Sequence, residues 1–183
     1  KHIHTTAMNI SRLVATQYPI ELSNPPDHAY DNDKIFLMKK HVDSIAAAGG
    51  VSILNHPNWQ SGIPASSIQQ VAGLEFIELH NGHPDVNNWG NEIHAPMEVK
   101  WDSLLTAGRR VLGVSSDDAH FFQKWGEDVS NPGRGWVMVR SGALYADAIT
   151  LAMKRGDFYA SNGVVLEKIE VTADQISVAI DTA

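Results

Sequence analysis

The sequence contains no cysteine among its 183 residues. This absence excludes a disulfide framework, a cysteine-ligated zinc site and a thiol nucleophile, although it does not fix the cellular compartment. Long hydrophobic runs are absent too. No apolar stretch approaches the roughly 20 residues that span a bilayer, and the first ten residues lack the apolar core of a signal peptide. The sequence therefore predicts no membrane-spanning segment.

Several catalytic signatures are also missing. No serine or threonine lies in a nucleophile-elbow pattern, and neither a glycine-rich phosphate loop nor a dinucleotide fingerprint is present. Water is therefore the expected nucleophile of any hydrolytic chemistry. The formal net charge of −7 argues against a nucleic-acid-binding surface.

The composition that remains, 43% hydrophobic and 19% charged residues, is typical of a single globular domain with a real core. The histidine content stands out, because nine histidines are many for an acidic chain of this length. Several of them lie at the ends of predicted strands. Histidine is therefore the residue type that directs the search for a site.

Helical and strand patterns alternate through the middle of the chain, which favours an α/β fold with right-handed βαβ units and a mainly parallel sheet. After these units, residues 164–180 read as two antiparallel strands with a turn near Ala173 and Asp174. Helices are predicted at 31–50, 64–73, 97–108 and 144–156, and strands at 51–55, 74–79, 109–116, 135–140 and 158–163.

Polar residues that could bind a metal accompany four of the short apolar segments. Taken singly, each is readily explained as a solvated turn, a helix N-cap or a hydrogen-bonded loop residue. Taken together, they would converge at one edge of a parallel sheet, where imidazoles and carboxylates without lysine or arginine suit a bound cation. Mixed nitrogen and oxygen ligands suit Zn²⁺, Mn²⁺ or Fe²⁺. The residues are His2 and His4 in "HIHTTAMN", His56 in "VSILNHP", Glu78 and His80 in "FIELHNG", and Asp118 and His120 in "GVSSDDAH".

These motifs, in this order and followed by "GRGWVMVR", resemble the PHP superfamily (polymerase and histidinol phosphatase), and within it the predicted metal-dependent phosphoesterases. The resemblance implies that residues 1–163 form the C-terminal part of a distorted (β/α)7 TIM-like barrel with a trinuclear metal site at the strand ends. Residues 164–183 would then form a C-terminal β-hairpin extension.

The resemblance also assigns metal ligands. It implies that His4 and His56 bind the second ion, that Asp118 binds the first, and that His120 binds the third. In this interpretation His2 is a neighbour in the strand of His4, and Asp117 is a neighbour of the Asp-x-His pair rather than a ligand.

The chain departs from the family pattern at its start. A His-x-His motif, a further histidine and a bridging glutamate should precede His4, and the sequence has no room for them. We therefore expect that an N-terminal part is missing and that its strands, supplied elsewhere, complete the barrel. The alternative is a natural partial domain, which would expose sheet edges and an apolar face.

The resemblance implies a metal-dependent hydrolase, with phosphomonoesters as the first substrate class and attack by a metal-bound hydroxide. Hydrolysis of carbamates or carboxylic esters on the same fold is one alternative, and a non-catalytic structural or binding module is another. Arg134, between two glycines, could bind the leaving part of the substrate, or it could serve as a turn arginine paired with a surface acid. Glu78 and His80 could face the site or simply end a strand. The compartment is not predicted.

Overall fold

The structure, a computed structural model, describes residues 3–15, 30–60 and 62–182. It is a mixed α/β arrangement in which all four predicted helices and the predicted strands are confirmed, with small shifts at their ends. The helices are α1 (Tyr30–Ala47), α2 (Ala65–Gln69), α3 (Met97–Thr106) and α4 (Ala146–Arg155). The strands are β1 (Thr5–Met8), β2 (Val51–Leu54), β3 (Phe76–Asn81), β4 (Leu112–Ser116), β5 (Trp136–Val139), β6 (Phe158–Ser161), β7 (Leu166–Val171) and β8 (Ile176–Ile180).

Four strands form the main sheet, in the order β1-β2-β3-β4. The pairs β2-β3 and β3-β4 are parallel, as predicted from the alternation of helices and strands. Strand β1 pairs antiparallel to β2, so the start of β1 lies beside the end of β2. The sheet is therefore mixed rather than all parallel.

The main sheet is covered on both faces by apolar side chains. One cluster joins it to α1, α2 and α3 and includes Leu54, Ile77 and Leu104. A smaller cluster on the other side brings Phe76 and Met153 together with residues of β4, β5 and β6. Burial of both faces is what parallel strands require, and it fixes the direction in which their ends point.

Two small antiparallel sheets of two strands each complete the described chain. Strands β5 and β6 pair next to α4, whereas β7 and β8 pair only with each other. The predicted antiparallel pair with a turn near Ala173 is confirmed, with Thr172 N–H donating to the Gln175 carbonyl across the turn. One face of this last hairpin is apolar, and its members Val171, Ile176 and Val178 are exposed.

Across residues 3–15, 30–60 and 62–182 the strands form one open four-stranded sheet and two two-stranded sheets, not a closed barrel. The barrel stays a prediction, as do the domain limits 1–163 and 164–183. Within the same residues, no helix is both long enough and apolar enough to cross a bilayer.

Candidate metal centre

His4 and His56 meet at the end of the sheet where β2 stops. His56 follows β2, as expected, but His4 precedes its strand instead of following it. The antiparallel register brings the two together all the same, because Thr5 pairs with Leu54 and Asn55 N–H donates to the His4 carbonyl at 3.1 Å. The imidazoles come to 3.0 Å between His4 Nδ1 and His56 Nε2.

Trp59 packs against this imidazole pair. Its ring centroid lies 5.7 Å from that of His4 and 5.2 Å from that of His56. The loop that carries Trp59 turns back at once, since Trp59 N–H donates to the His56 carbonyl at 2.9 Å. Trp59 thus packs on two of the predicted ligands.

The backbone is unusual at two of the predicted ligands. His56 has φ of +28° and Asp118 has φ of +47°, values that side chains other than glycine seldom adopt. Asp118 lies two residues beyond β4, and its neighbour Asp117 accepts a hydrogen bond from Gly133 N–H at 2.7 Å. Backbone outliers of this kind concentrate at functional sites, where the surrounding contacts hold them in place.

A buried carboxylate connects the ends of the strands. Glu78, 5% exposed, accepts hydrogen bonds on Oε2 from His56 N–H at 2.5 Å and from Asn81 Nδ2 at 2.9 Å. Its Oε1 accepts the hydroxyl of Ser116 at 2.7 Å. We call Glu78, Asn81 and Ser116 the rim cluster. It ties the loop after β2 to the ends of β3 and β4.

Asn81 extends the rim cluster to a predicted ligand. Its Nδ2 also donates to Asp118 Oδ2 at 3.3 Å, and its Oδ1 accepts His83 N–H at 2.9 Å. Asn55 instead exchanges two hydrogen bonds with Thr6, at 3.1 and 3.0 Å. The Oδ1 atoms of both asparagines thus accept backbone N–H groups, of Thr6 and of His83.

A β-bulge makes the rim cluster possible. Residues three apart in a regular strand point to opposite faces of the sheet. Between β3 and β4, however, Glu78 pairs with Val114 while His80 pairs with the next residue, Ser115, so that Leu79 is left as an extra residue. One extra residue shifts the alternation by one, and the side chains of Glu78 and Asn81 therefore share a face.

His120 lies further out, with 59% of its side chain exposed. Its Nδ1 is 2.6 Å from the Asp118 carbonyl, which can only accept, so Nδ1 carries the proton and the neutral ring keeps its lone pair on Nε2. The ring stands edge-on to that of His83, 5.5 Å away. A fixed tautomer of this type prepares a histidine to bind a metal.

The backbone of Arg134 lies next to the end of β3. The Arg134 carbonyl accepts a hydrogen bond from His80 Nε2 at 3.2 Å, and a Cβ added to Gly82 would come within 2.5 Å of the Arg134 Cβ. Its guanidinium donates to the carbonyls of Gly126 and Glu127. In this structure Arg134 therefore braces its own loop, and the substrate-binding role stays a prediction.

Buried lysines on α1 and α3 hold the loop after β2 from the side of the helices. Lys100, on α3, donates to Asn58 Oδ1 and to the Ile63 carbonyl, and Lys34, on α1, donates to the Gly62 carbonyl at 3.2 Å. We call Lys34, Lys100 and Asn58 the lysine cluster. Burial, together with the nearby charge of Lys34, lowers the pKa of Lys100 to about 8.

Neither the contacts of Asn58 nor the burial of Lys100 was predicted from the sequence. Asn58 fastens the loop after β2 to the loop after β3, since its Nδ2 donates to the carbonyls of Asn87 and Ala95, both at 2.9 Å. Lys100 had a detectable signal, because it lies between the buried Met97 and Leu104 on the apolar stripe of α3. A lysine in an apolar stripe indicates a buried polar contact.

The 3.0 Å between His4 Nδ1 and His56 Nε2 is the length of an N–H···N hydrogen bond, and it also lies within the range expected for two ligands of one ion. Two nitrogen ligands at bond lengths of about 2.0–2.1 Å and angles near 90–109° lie about 2.9–3.4 Å apart, and His4 and His56 are at 3.0 Å. Within the described parts of the chain, however, no three His, Asp or Glu side chains are grouped closely enough to hold an ion together. The fit therefore concerns a pair of ligands. His2, the predicted neighbour of His4, lies outside the described residues.

Comparisons of the chain with models of protein families, with curated proteins and with solved structures found no match.

Proposed function

We propose that this chain carries part of the site of a metal-dependent hydrolase of the PHP type. The observation that supports the proposal is a chain of hydrogen bonds between two predicted ligands, His56 and Asp118, which both have left-handed backbone conformations. Glu78 accepts from the backbone N–H of His56 and from Asn81, and Asn81 also donates to Asp118. His4 lies next to His56, with 3.0 Å between their ring nitrogens. Contacts that hold two strained positions in register support a functional role better than a structural one.

The proposed ligands divide between the imidazole pair and the Asp-x-His pair. His4 Nδ1 and His56 Nε2 would share one ion, while Asp118 and His120 would each serve another. When bound, Zn²⁺, Mn²⁺ or Fe²⁺ ions supply Lewis acidity and lower the pKa of a bound water. The residues of this chain orient those ligands: Asn81 fixes one oxygen of Asp118, and the Asp118 carbonyl fixes the tautomer of His120.

The substrate class follows from the resemblance. Phosphomonoesters come first, and carbamates or carboxylic esters second. Arg134 would contribute to binding the substrate only after its guanidinium leaves the Gly126 and Glu127 carbonyls. A small-molecule substrate therefore has to compete with two hydrogen bonds inside the loop.

A non-catalytic binding or structural module is the second candidate. It is favoured by the observation that, among the described residues, only two predicted ligands lie within bonding distance of a common ion. Metal content separates the two functions, because a module of this kind needs no bound ions.

The test is the metal content and hydrolytic activity of the purified chain. We expect bound Zn, Mn or Fe by elemental analysis, reaching two or three equivalents where the site is complete, and hydrolysis of p-nitrophenyl phosphate in excess of p-nitrophenyl acetate that is lost in chelator. Asp118→Asn should reduce this activity by at least about 100-fold. It should change the free energy of unfolding by less than about 1 kcal/mol, because asparagine tolerates positive φ and can still accept from Asn81.

Asp174→Asn is the matched control, since Asp174 is an exposed carboxylate in the turn between β7 and β8. It should leave activity and metal content unchanged. Full turnover in Asp118→Asn would contradict the assignment of the Asp-x-His pair. Metal-free protein of normal stability and no activity would support the binding module.

A further inference from the structure

We propose that the apolar side of the β7–β8 hairpin is the surface through which two copies of this chain form a dimer. This inference does not depend on the proposed function, because it involves none of the predicted ligands. The surface consists of six aliphatic side chains, and we call it the hairpin face. Its members are Leu166, Ile169, Val171, Ile176, Val178 and Ile180.

The pairing register brings four of these side chains together. Ile169 lies opposite Val178, and Val171 lies opposite Ile176. Directly opposed residues point to the same side of a sheet, and so do residues two apart in one strand. These four residues therefore form a continuous patch on one side of the hairpin.

An extra residue extends the patch at the open end of the hairpin. Leu166 pairs with Ile180, but the next pair is Lys168 with Ala179, so Glu167 is an extra residue in β7. One extra residue shifts the alternation of side chains by one position, which places Leu166 on the same side as the rest of the patch. The hairpin face thus runs the whole length of both strands.

The opposite side of the hairpin is polar. Lys168 and Glu170 lie there, and the distance from Lys168 Nζ to Glu170 Oε1 is 2.8 Å. The hairpin face itself contains neither an ionisable group nor a side chain that forms hydrogen bonds. The hairpin is therefore amphipathic, with an uncharged apolar side.

The hairpin face is exposed to water within the described part of the chain, where β7 and β8 pair only with each other. An apolar patch of about 500 Å² marks an interaction site on a soluble protein, and the hairpin face has about this exposed area. A two-stranded hairpin is also only marginally stable in water unless a further layer covers its apolar side. Five members are 40–72% exposed, namely Ile169, Val171, Ile176, Val178 and Ile180.

The area and composition of the hairpin face favour a second copy of the chain as the partner. Two such faces packed on each other bury about 1,000 Å², which is the size that a specific dimer requires. A surface made only of valine, isoleucine and leucine resembles a domain core cut in half, as permanent homodimer interfaces do. It lacks the tryptophan, tyrosine and arginine that supply most of the binding energy in many contacts between different proteins.

Charge favours the same location for the contact. The formal net charge of −7 makes copies of the chain repel each other. Contact through a face that carries no charge adds the least to this repulsion, and it leaves Lys168 and Glu170 in water on the outer side of the hairpin. The dimer would therefore be held by apolar packing alone.

Val178→Glu tests the proposal, because Val178 lies in the middle of the hairpin face, opposite Ile169. In sedimentation equilibrium, the whole wild-type chain should form dimers with a dissociation constant on the order of 10 µM. The dimers should persist at high salt, since no ion pair holds them. Val178→Glu should weaken association at least about 100-fold, because it buries two like charges at the contact.

Ala179→Glu is the matched control. Ala179 is the next residue along β8, is exposed on the polar side and lies opposite Lys168. This variant adds the same charge to the chain and should dimerise like the wild type.

Val178→Lys distinguishes a lost contact from a poorly folded variant. Val178→Glu and Val178→Lys should each be monomeric alone, and an equimolar mixture should dimerise, because opposite charges then meet near the two-fold axis. A wild type that stays monomeric at about 200 µM overturns the inference and leaves the face to a different partner. Val178→Glu that dimerises like the wild type overturns it as well. None of these measurements uses metal content or activity, so failure of the proposed function would leave their outcome unchanged.

Discussion

The rim cluster and the lysine cluster hold the same loop, residues 55–63, with groups of opposite charge. In the rim cluster a carboxylate gathers three neutral donors around the start of the loop. In the lysine cluster two ammonium groups donate to neutral oxygens near its end. His56 and Trp59 belong to this loop. The loop that carries a proposed ligand is therefore fastened at both ends by buried polar contacts.

The two clusters deal with buried charge in different ways. Burial favours the neutral amine of Lys100, which is why its pKa falls to about 8. In the rim cluster, three neutral donors surround the Glu78 carboxylate. We therefore expect the stability of the loop to depend on pH through the lysine cluster, while the contribution of the Ser116 hydroxyl in the rim cluster does not change between pH 6 and pH 9.

Asn58→Leu should have the largest effect on stability. The variant removes hydrogen bonds to Lys100, Asn87 and Ala95 at a site only 1% exposed, and we expect a loss of about 3 kcal/mol in the free energy of unfolding. Leaving the charged Lys100 ammonium without its Asn58 acceptor costs more free energy than leaving the neutral amine without it. The loss of stability should therefore be greater at pH 6 than at pH 9. Urea denaturation at both pH values measures it.

The control for this variant is Asn162→Leu, at an exposed position, which should change stability by less than about 0.5 kcal/mol. An equal loss of stability in Asn58→Leu at pH 6 and pH 9 would contradict this expectation, because it would show that the contribution of Asn58 does not depend on the charge of Lys100.

Lys100→Met tests the sign of the pH dependence. The folded pKa of Lys100 lies below its unfolded value near 10.5, so between about pH 8 and pH 10 the unfolded chain carries a proton that the folded protein lacks. Raising the pH through this window therefore stabilises the wild type. We expect its free energy of unfolding to gain about 1–2 kcal/mol, relative to Lys100→Met, between pH 7 and pH 9.5.

Lys39→Met, at an exposed position on α1, should keep the wild-type pH profile in the same chemical denaturation series. Parallel profiles for the wild type and Lys100→Met would show that Lys100 keeps its proton throughout, contrary to the expected shift.

Ser116→Ala should have the smallest effect and should sharpen the contrast. It removes one of three donors to Glu78, so we expect a loss of about 1 kcal/mol in urea denaturation. The loss should be equal at pH 6 and pH 9, because a serine hydroxyl does not titrate in this range. Ser103→Ala, which removes an exposed hydroxyl bonded to the Val99 carbonyl, is the control. A marked pH dependence in Ser116→Ala alone would mean that the two clusters do not differ as described.

Local sequence patterns predicted the helices and strands because their signals are local. Apolar spacing with a stop at Gly49 marked α1, and a left-handed Gly156 ends α4. The direction of β1 could not be obtained in this way. Its four residues carry no information on which neighbour they pair with, and the antiparallel register depends on contacts with β2, more than 40 residues away.

The sequence named candidate ligands but not the contacts that hold them in place. Residues that end strands are visible in the sequence, which is why His56 and Asp118 could be named. The hydrogen bonds of Glu78 and Asn81 depend on the bulge at Leu79, and the lysine cluster depends on how α3 packs against a loop. Both arise from tertiary packing, which composition and residue spacing do not predict.

The extra residue in β3 has a practical consequence for engineering. Replacing the Leu79 side chain alters packing against Gly113 but leaves the count of residues intact. Deleting Leu79 would restore the regular alternation of side chains along β3. The Asn81 side chain would then point to the opposite face of the sheet, and its hydrogen bonds to Glu78 and Asp118 would be lost. The spacing of the backbone, rather than the chemistry of any single group, is thus what an insertion-and-deletion library should probe first.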